Sequence, residues 1–175
     1  MHNAEERKLA GTMMVKRGIW FFMRMVLIIV ALLALFYGVF TVAMRAGNLY
    51  ILATEGLQLR AECILQDGPQ VELREYFSEG FLSQDEMLQG TDYNNYTINN
   101  FDYRVEVEGI SVWPWGTGAT VTVVERMASI SGSIHEDKKP ADALPDAVYP
   151  IPEWEGGRYR LYFSFREDRW YIYQM

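Results

Sequence analysis

The chain has 175 residues, half of them hydrophobic, and a net charge of −7. That length is ample for one domain with its own core, and the acidic balance excludes nucleic acid as a partner of its bulk surface. Cys63 is the only cysteine, and His2 and His135 are the only histidines. An intramolecular disulfide and a Cys/His zinc site are therefore excluded, and no cofactor is expected.

In chain order, the first feature is a basic stretch. Arg7, Lys8, Lys16, Arg17 and Arg24 stand against Glu5 and Glu6, a net +3 that leaves −10 for residues 25–175. Met25 to Met44 then reads MVLIIVALLALFYGVFTVAM, twenty residues without a charge. A helix of that length is roughly 30 Å long, the thickness of a bilayer's hydrocarbon core. The expected organisation is a cytoplasmic tail over 1–24, a transmembrane helix over 25–44 and an exported domain over 45–175, with the lipid bilayer as the first partner. Basic residues close to a span favour the cytoplasmic side, and the five before the run outweigh Arg45 after it. Trp20, Phe21 and Phe22 beside Arg24 suit an aromatic belt at the inner interface. A cleaved secretory signal would carry a shorter apolar region, about 7–15 residues, and a better cleavage site than Thr41-Val42-Ala43. Ala34 and Gly38 form one small-xxx-small pair that could seat a second helix, although such pairs also arise by chance in plain lipid-facing anchors.

Residues 46–66 continue in helical style. Leu49, Leu52, Ala53, Gly56, Arg60, Cys63 and Ile64 share one face, with Arg60 its one polar member. Gly56 in a helix interior signals a close packing contact. Asp67-Gly68-Pro69 is a strong stop. A short helix is expected over Val71–Phe77 and another from Ser83 to Leu88, with Ser83 and Glu86 as a capping box. The period then changes from 3.6 to 2. Phe101, Tyr103, Val105 and Val107 alternate with Asp102, Arg104, Glu106 and Glu108, and the phase slips at Gly109. Trp115-Gly116-Thr117-Gly118 reads as a hairpin turn before a long strand, Ala119 to Ile134, whose phase slips near Glu125-Arg126. Residues 135–157 carry Pro140, Pro145, Pro150 and Pro152 and read as an irregular surface loop. A last hairpin follows, with Tyr159, Leu161, Phe163 and Phe165, a turn at Glu167-Asp168, and Trp170 to Met175.

Helices followed by a bent antiparallel sheet define an α+β class. The segment Tyr76-Phe77-Ser78 with Phe81-Leu82, and the terminal Arg169-Trp170-Tyr171-Ile172 strand, resemble the nuclear transport factor 2-like superfamily over about residues 48–175. The resemblance implies a strongly curved sheet wrapped around helices to make a cone with a cavity. A short tail, one span and one exported cone are also similar in architecture to the inner-membrane scaffold subunits of type IV secretion and conjugation machines.

Soluble members of that superfamily include isomerases and dehydratases, whose chemistry needs a carboxylate or His base and a neutral donor. His135 lies beside Glu136-Asp137-Lys138-Lys139 and reads as solvated. No Gly-x-Ser-x-Gly elbow exists, and Gly116-Thr117-Gly118 lacks the context of a phosphate loop. Glu125 shares the parity of Val121 and Val123, so an unbroken strand would turn it into the cavity. The expectation is instead that a bulge turns it to solvent, or that Arg126 or Arg104 pairs with it. Trp113, Trp115 and Trp154 sit at turn tips or in the proline loop, where indoles serve either local packing or partner contact. Cys63 reads as a small buried apolar residue. Asn95-Tyr96-Thr97 matches a glycosylation pattern that matters only in a eukaryotic source. The expected function is that of a non-enzymatic envelope protein, an assembly or scaffold subunit whose partners are other envelope proteins or further copies of the chain. The alternatives are a ligand- or peptide-sensing regulatory ectodomain and a cavity enzyme of the isomerase or dehydratase type.

Overall fold

A computed structural model describes residues 2–90, 92–139 and 149–175, with side chains from Gly18 onward. The elements are α1 (His2–Gln66), α2 (Glu79–Leu82), α3 (Glu86–Gln89), β1 (Tyr96–Val112), β2 (Gly118–Ile134), β3 (Gly157–Arg166) and β4 (Arg169–Gln174), with single 3-10 turns at Glu72–Glu75 and Glu136–Lys138. The chain divides into two compact units, one up to Ala43 and one from Met44 onward.

The first unit is helical, and from Met25 to Ala43 it is apolar on every side. Trp20, Phe21, Phe22, Leu27, Leu33, Leu35 and Phe36 are all more than half exposed. A helix that is hydrophobic all round needs an apolar surrounding, and α1 is long and apolar enough to cross a membrane. Arg24 lies over the Trp20 ring at 5.8 Å.

The second unit is α+β. Its four strands form one curled antiparallel sheet, a half-barrel in the order β1-β2-β3-β4. The stripe on α1 that faces the sheet is Leu49, Ala53, Leu57, Arg60, Ala61 and Ile64, all buried, with Cys63 beside them. Leu57 and Ala61 join the expected face because i, i+4 steps run 49, 53, 57, 61. A Cβ on Gly56 would stand 3.0 Å from the Tyr76 Cβ, which is the close contact that glycine permits. The helix ends where Asp67 takes a left-handed conformation at φ 53°.

The short helices differ from expectation in their caps. Ser78 caps α2 by accepting from Phe81 N, and Asp85 caps α3 by accepting from Met87 N and Leu88 N. Ser83 is the residue that closes α2, so it opens no capping box with Glu86. Tyr76–Ser78 then bonds to Ile172 through Ser78 N–H to Ile172 O and Ile172 N–H to Tyr76 O, which covers part of the free edge of β4.

In the sheet, the slip at Gly109 is present between Val107 and Gly109. The slip in β2 falls between Met127 and Ser129, later than Glu125-Arg126. Parity therefore survives from Ala119 through Val121 and Val123 to Glu125, and all four point into the core. Leu161 and Phe163 of β3 and Trp170 and Ile172 of β4 complete that surface. The last hairpin turns at Glu167 and Asp168, both at positive φ (49° and 69°), as a two-residue turn of the I′ kind requires.

Candidate functional site

Two features of the second unit stand out chemically, a buried polar cluster and an exposed tryptophan turn. The cluster is built around Glu125, which is only 3% exposed. Trp154 Nε1–H donates to Glu125 Oε1 at 2.8 Å, and the Tyr159 hydroxyl donates to Oε2 at 2.5 Å. Nearby on α1, Arg60 grips Asp85 with two bonds, Nε to Oδ2 at 2.6 Å and Nη2 to Oδ1 at 2.8 Å. Arg60 and Asp85 are both buried. Burial pulls the Arg60 guanidinium down, but the bond and charge of Asp85 outweigh it and hold the group above its ordinary value. Burial first, and then the charge of Glu125, push Tyr103 and Tyr159 well above the usual phenol range. Both phenols therefore stay protonated, and Tyr159 is the one that donates. The Tyr103 hydroxyl is buried beside this group without a hydrogen-bond partner.

A carboxylate among neutral hydroxyls is raw material for acid–base chemistry. Here both carboxylate oxygens are already engaged by the chain itself. Trp154 closes over them, stacked edge-on to Tyr103 at 5.6 Å and tilted against Tyr93 at 6.1 Å. The strap that carries Trp154 is held by the Tyr96 hydroxyl to Pro150 O at 3.1 Å, and by close approach at Gly156, where a Cβ would lie 2.7 Å from Glu125 O. The cluster is a sealed polar core.

Two expectations are corrected. Glu125 does not turn to solvent, because the bulge comes after Met127. Neither arginine pairs with it: Arg104 binds Asp102 and Arg126 is exposed. Trp154 is no surface contact, being 8% exposed with its N–H committed to Glu125. The proline loop delivers it because Pro150 and Pro152 keep the strap extended up to Gly156. Trp113 and Trp115 are the reverse, 67% and 71% exposed. Arg60 drew attention as the polar member of an apolar stripe, yet Asp85, Tyr103 and Tyr159 carried no signal that would assemble them around it.

The other expected positions are simply placed. Cys63 is buried and its thiol is pushed up, by burial first and then by Glu62, Glu72 and Asp67. His135 is half-buried after β2, its backbone N–H donating to Asn95 O at 2.8 Å. Among the described residues no group of His, Cys, Asp and Glu could hold a metal ion. Ala34 and Gly38 lie on the bare apolar helix, and a Cβ on Gly38 would meet nothing within 4 Å.

The tryptophan turn has its own geometry. Trp113–Gly116 closes with Gly116 N–H to Trp113 O at 3.1 Å. Pro114 takes the second position, and Trp115 has no positive φ, so the turn is type I. The two indoles sit edge to face, 6.2 Å apart. Arg45 Nη1 donates to Trp113 O at 3.2 Å and to Gly116 O at 2.8 Å, while its guanidinium lies 5.9 Å from the Phe165 and Trp170 rings.

Comparison with known protein families, with curated proteins and with solved structures finds no match.

Proposed function

We propose that this chain is a non-enzymatic, single-pass envelope protein whose C-terminal unit, held outside the cytoplasm, is an assembly or scaffold subunit of a membrane-associated complex. The observation that carries the reading is the sealed interior: Glu125 spends both oxygens on Trp154 and Tyr159, leaving its carboxylate to organise the fold. A domain with such an interior works through its outer surface. The basic excess before Met25 supports an N-terminus in the cytoplasm. Helices against a curled sheet are consistent with a nuclear transport factor 2-like cone, and one span plus one such unit is the layout of the inner-membrane scaffold subunits of type IV secretion and conjugation machines.

One observation favours a second reading, a ligand-sensing ectodomain: the unpartnered Tyr103 hydroxyl would be satisfied by a small molecule that displaced Trp154. Gentle solubilisation of native membranes and size analysis separate the two. A discrete complex larger than one chain is the expected result. A monomer carrying a bound small molecule favours the sensor, and substrate turnover lost in Glu125→Gln favours the cavity enzyme.

A further inference from the structure

We infer that the Trp113–Trp115 turn is a second membrane contact, inserted into the headgroup–acyl boundary of the bilayer that holds the uncharged run. The run ends at Met44, and Arg45 follows it by one peptide bond, about 3.8 Å between Cα atoms. Whatever embeds the run has its edge at Arg45. The same Arg45 side chain holds both ends of the turn, through Trp113 O and Gly116 O. The turn therefore lies within one side chain's reach of the bilayer edge.

Its chemistry fits that depth. Tryptophan is the residue of membrane interfaces, with an apolar ring and one polar N–H. Both indoles are exposed and cover each other only by one edge-to-face contact, so the turn leaves most of their ring surface uncovered. The hairpin around them is bare of charge from Gly109 to Val124, in a chain where 22% of residues are charged. In the neighbouring β3–β4 turn Arg166 and Arg169 balance Glu167 and Asp168, so the two turns and the Arg45 between them add no negative charge, and the nearest further acids, Glu55 and Glu75, lie in the groove beside Arg45. Residues 25–175 as a whole carry −10. An acidic domain is repelled by an anionic lipid surface, and a hairpin without charge can approach that surface without adding to the repulsion. Arg45 also fits the scheme: its charge serves two carbonyls and two aromatic rings at the boundary. The inference requires the uncharged run to lie in a bilayer. It does not require the assembly role.

The test uses the full-length chain, one copy per nanodisc of phosphatidylcholine and phosphatidylglycerol, in a Cys63→Ala background. A nitroxide is placed at Thr117→Cys beside the turn, at Ser133→Cys near the distal end of β2, or at Leu33→Cys in the run. Collisions with oxygen and with a water-soluble nickel chelate report depth. The expected result is loss of nickel collisions at Thr117 relative to Ser133, with oxygen collisions retained. Adding Trp113→Ala with Trp115→Ala should return the Thr117 label to the Ser133 values. A Thr117 label as open to nickel as Ser133 overturns the inference. So does one shielded from both reagents, which means a protein covers the turn. If the alanine chain does not fold, the labelled parent decides alone. Water at Leu33 removes the premise, and it is told apart because the other labels do not bear on it.

Discussion

The two ends of the β2–β3 ladder, Gly118 with Ser164 and Glu125 with Gly157, invert the ordinary rule of burial in opposite ways. About 23 Å of strand separates Gly118, beside the exposed Trp113–Trp115 turn, from Glu125. At the Glu125 end charged and polar groups are buried, and at the turn two indoles face outward. Each exception has its own cause. The buried charges survive because every oxygen of Glu125 and Asp85 has a donor, and a buried ion pair holds only when such bonds are complete. The exposed indoles survive because Pro114 and Arg45 fix the turn's backbone, so the fold does not depend on what the rings touch. One end is therefore where stability is concentrated, and the other is free to serve contact.

Removing the charge partner sharpens this contrast most. Asp85→Ala strands the Arg60 guanidinium in the core and should cost about 3–5 kcal/mol, read by thermal or denaturant unfolding of the full chain. Arg60→Met with Asp85→Leu should recover part of that loss, since an apolar pair needs no charge partner, while the lost cap of Met87 N–H and Leu88 N–H keeps back about 1 kcal/mol. Trp154→Ala should cost a similar ~3–5 kcal/mol, the usual range for a buried large aromatic. Trp113→Ala with Trp115→Ala should change stability by only about 0.5 kcal/mol, as exposed sites do. Equal losses at the two tryptophan sites would erase the distinction between the ends.

The tyrosines divide on a smaller scale. Tyr159→Phe removes a bonded donor from Glu125 and should cost about 1–3 kcal/mol. Tyr103→Phe removes a hydroxyl without a partner and should be neutral or stabilising by up to about 1 kcal/mol. Both phenols ionise less readily in the folded state than in the unfolded one. The unfolded chain therefore releases these protons first, and stability, full below about pH 10, should fall as pH rises beyond that value. Alkaline unfolding curves should show a shallower fall for Tyr103→Phe. A gain of similar size is expected at the β3–β4 turn. Glu167→Asn with Asp168→Gly relieves two positive φ angles and should stabilise by about 0.5–1 kcal/mol.

Local pattern reached the exposed end more fully than the buried one. The uncharged run from Met25 to Met44, the slip at Gly109 and the tryptophans flanking Pro114 are all legible within a few residues of themselves. The parity of Glu125 with Val121 and Val123 was legible too, but a bulge three residues away decides its direction, and the sequence around Glu125-Arg126 and Ala128 does not mark where a strand bends. Asp85 is 25 residues from Arg60, and Trp154 is 29 from Glu125. Such contacts are created by topology, and no periodicity within either segment encodes them. Trp154 arrives on a strap without strand or helix pattern, so its side of the surface could be fixed only by the hydrogen bond it makes inside.

The central claim is that the sealed carboxylate serves the fold and that the outer surface serves the function. Glu125→Gln tests it most directly, because the amide is nearly the same size, can accept from Trp154 through its oxygen while its NH2 donates to the Tyr159 hydroxyl oxygen, and cannot act as a base. Full-length Glu125→Gln chains, expressed in place of the native protein, should be recovered from gently solubilised membranes in the same complex and the same amount as the parent. A folded Glu125→Gln chain that enters the membrane but no longer forms that complex, or no longer supports the cellular role of the parent, would contradict the account.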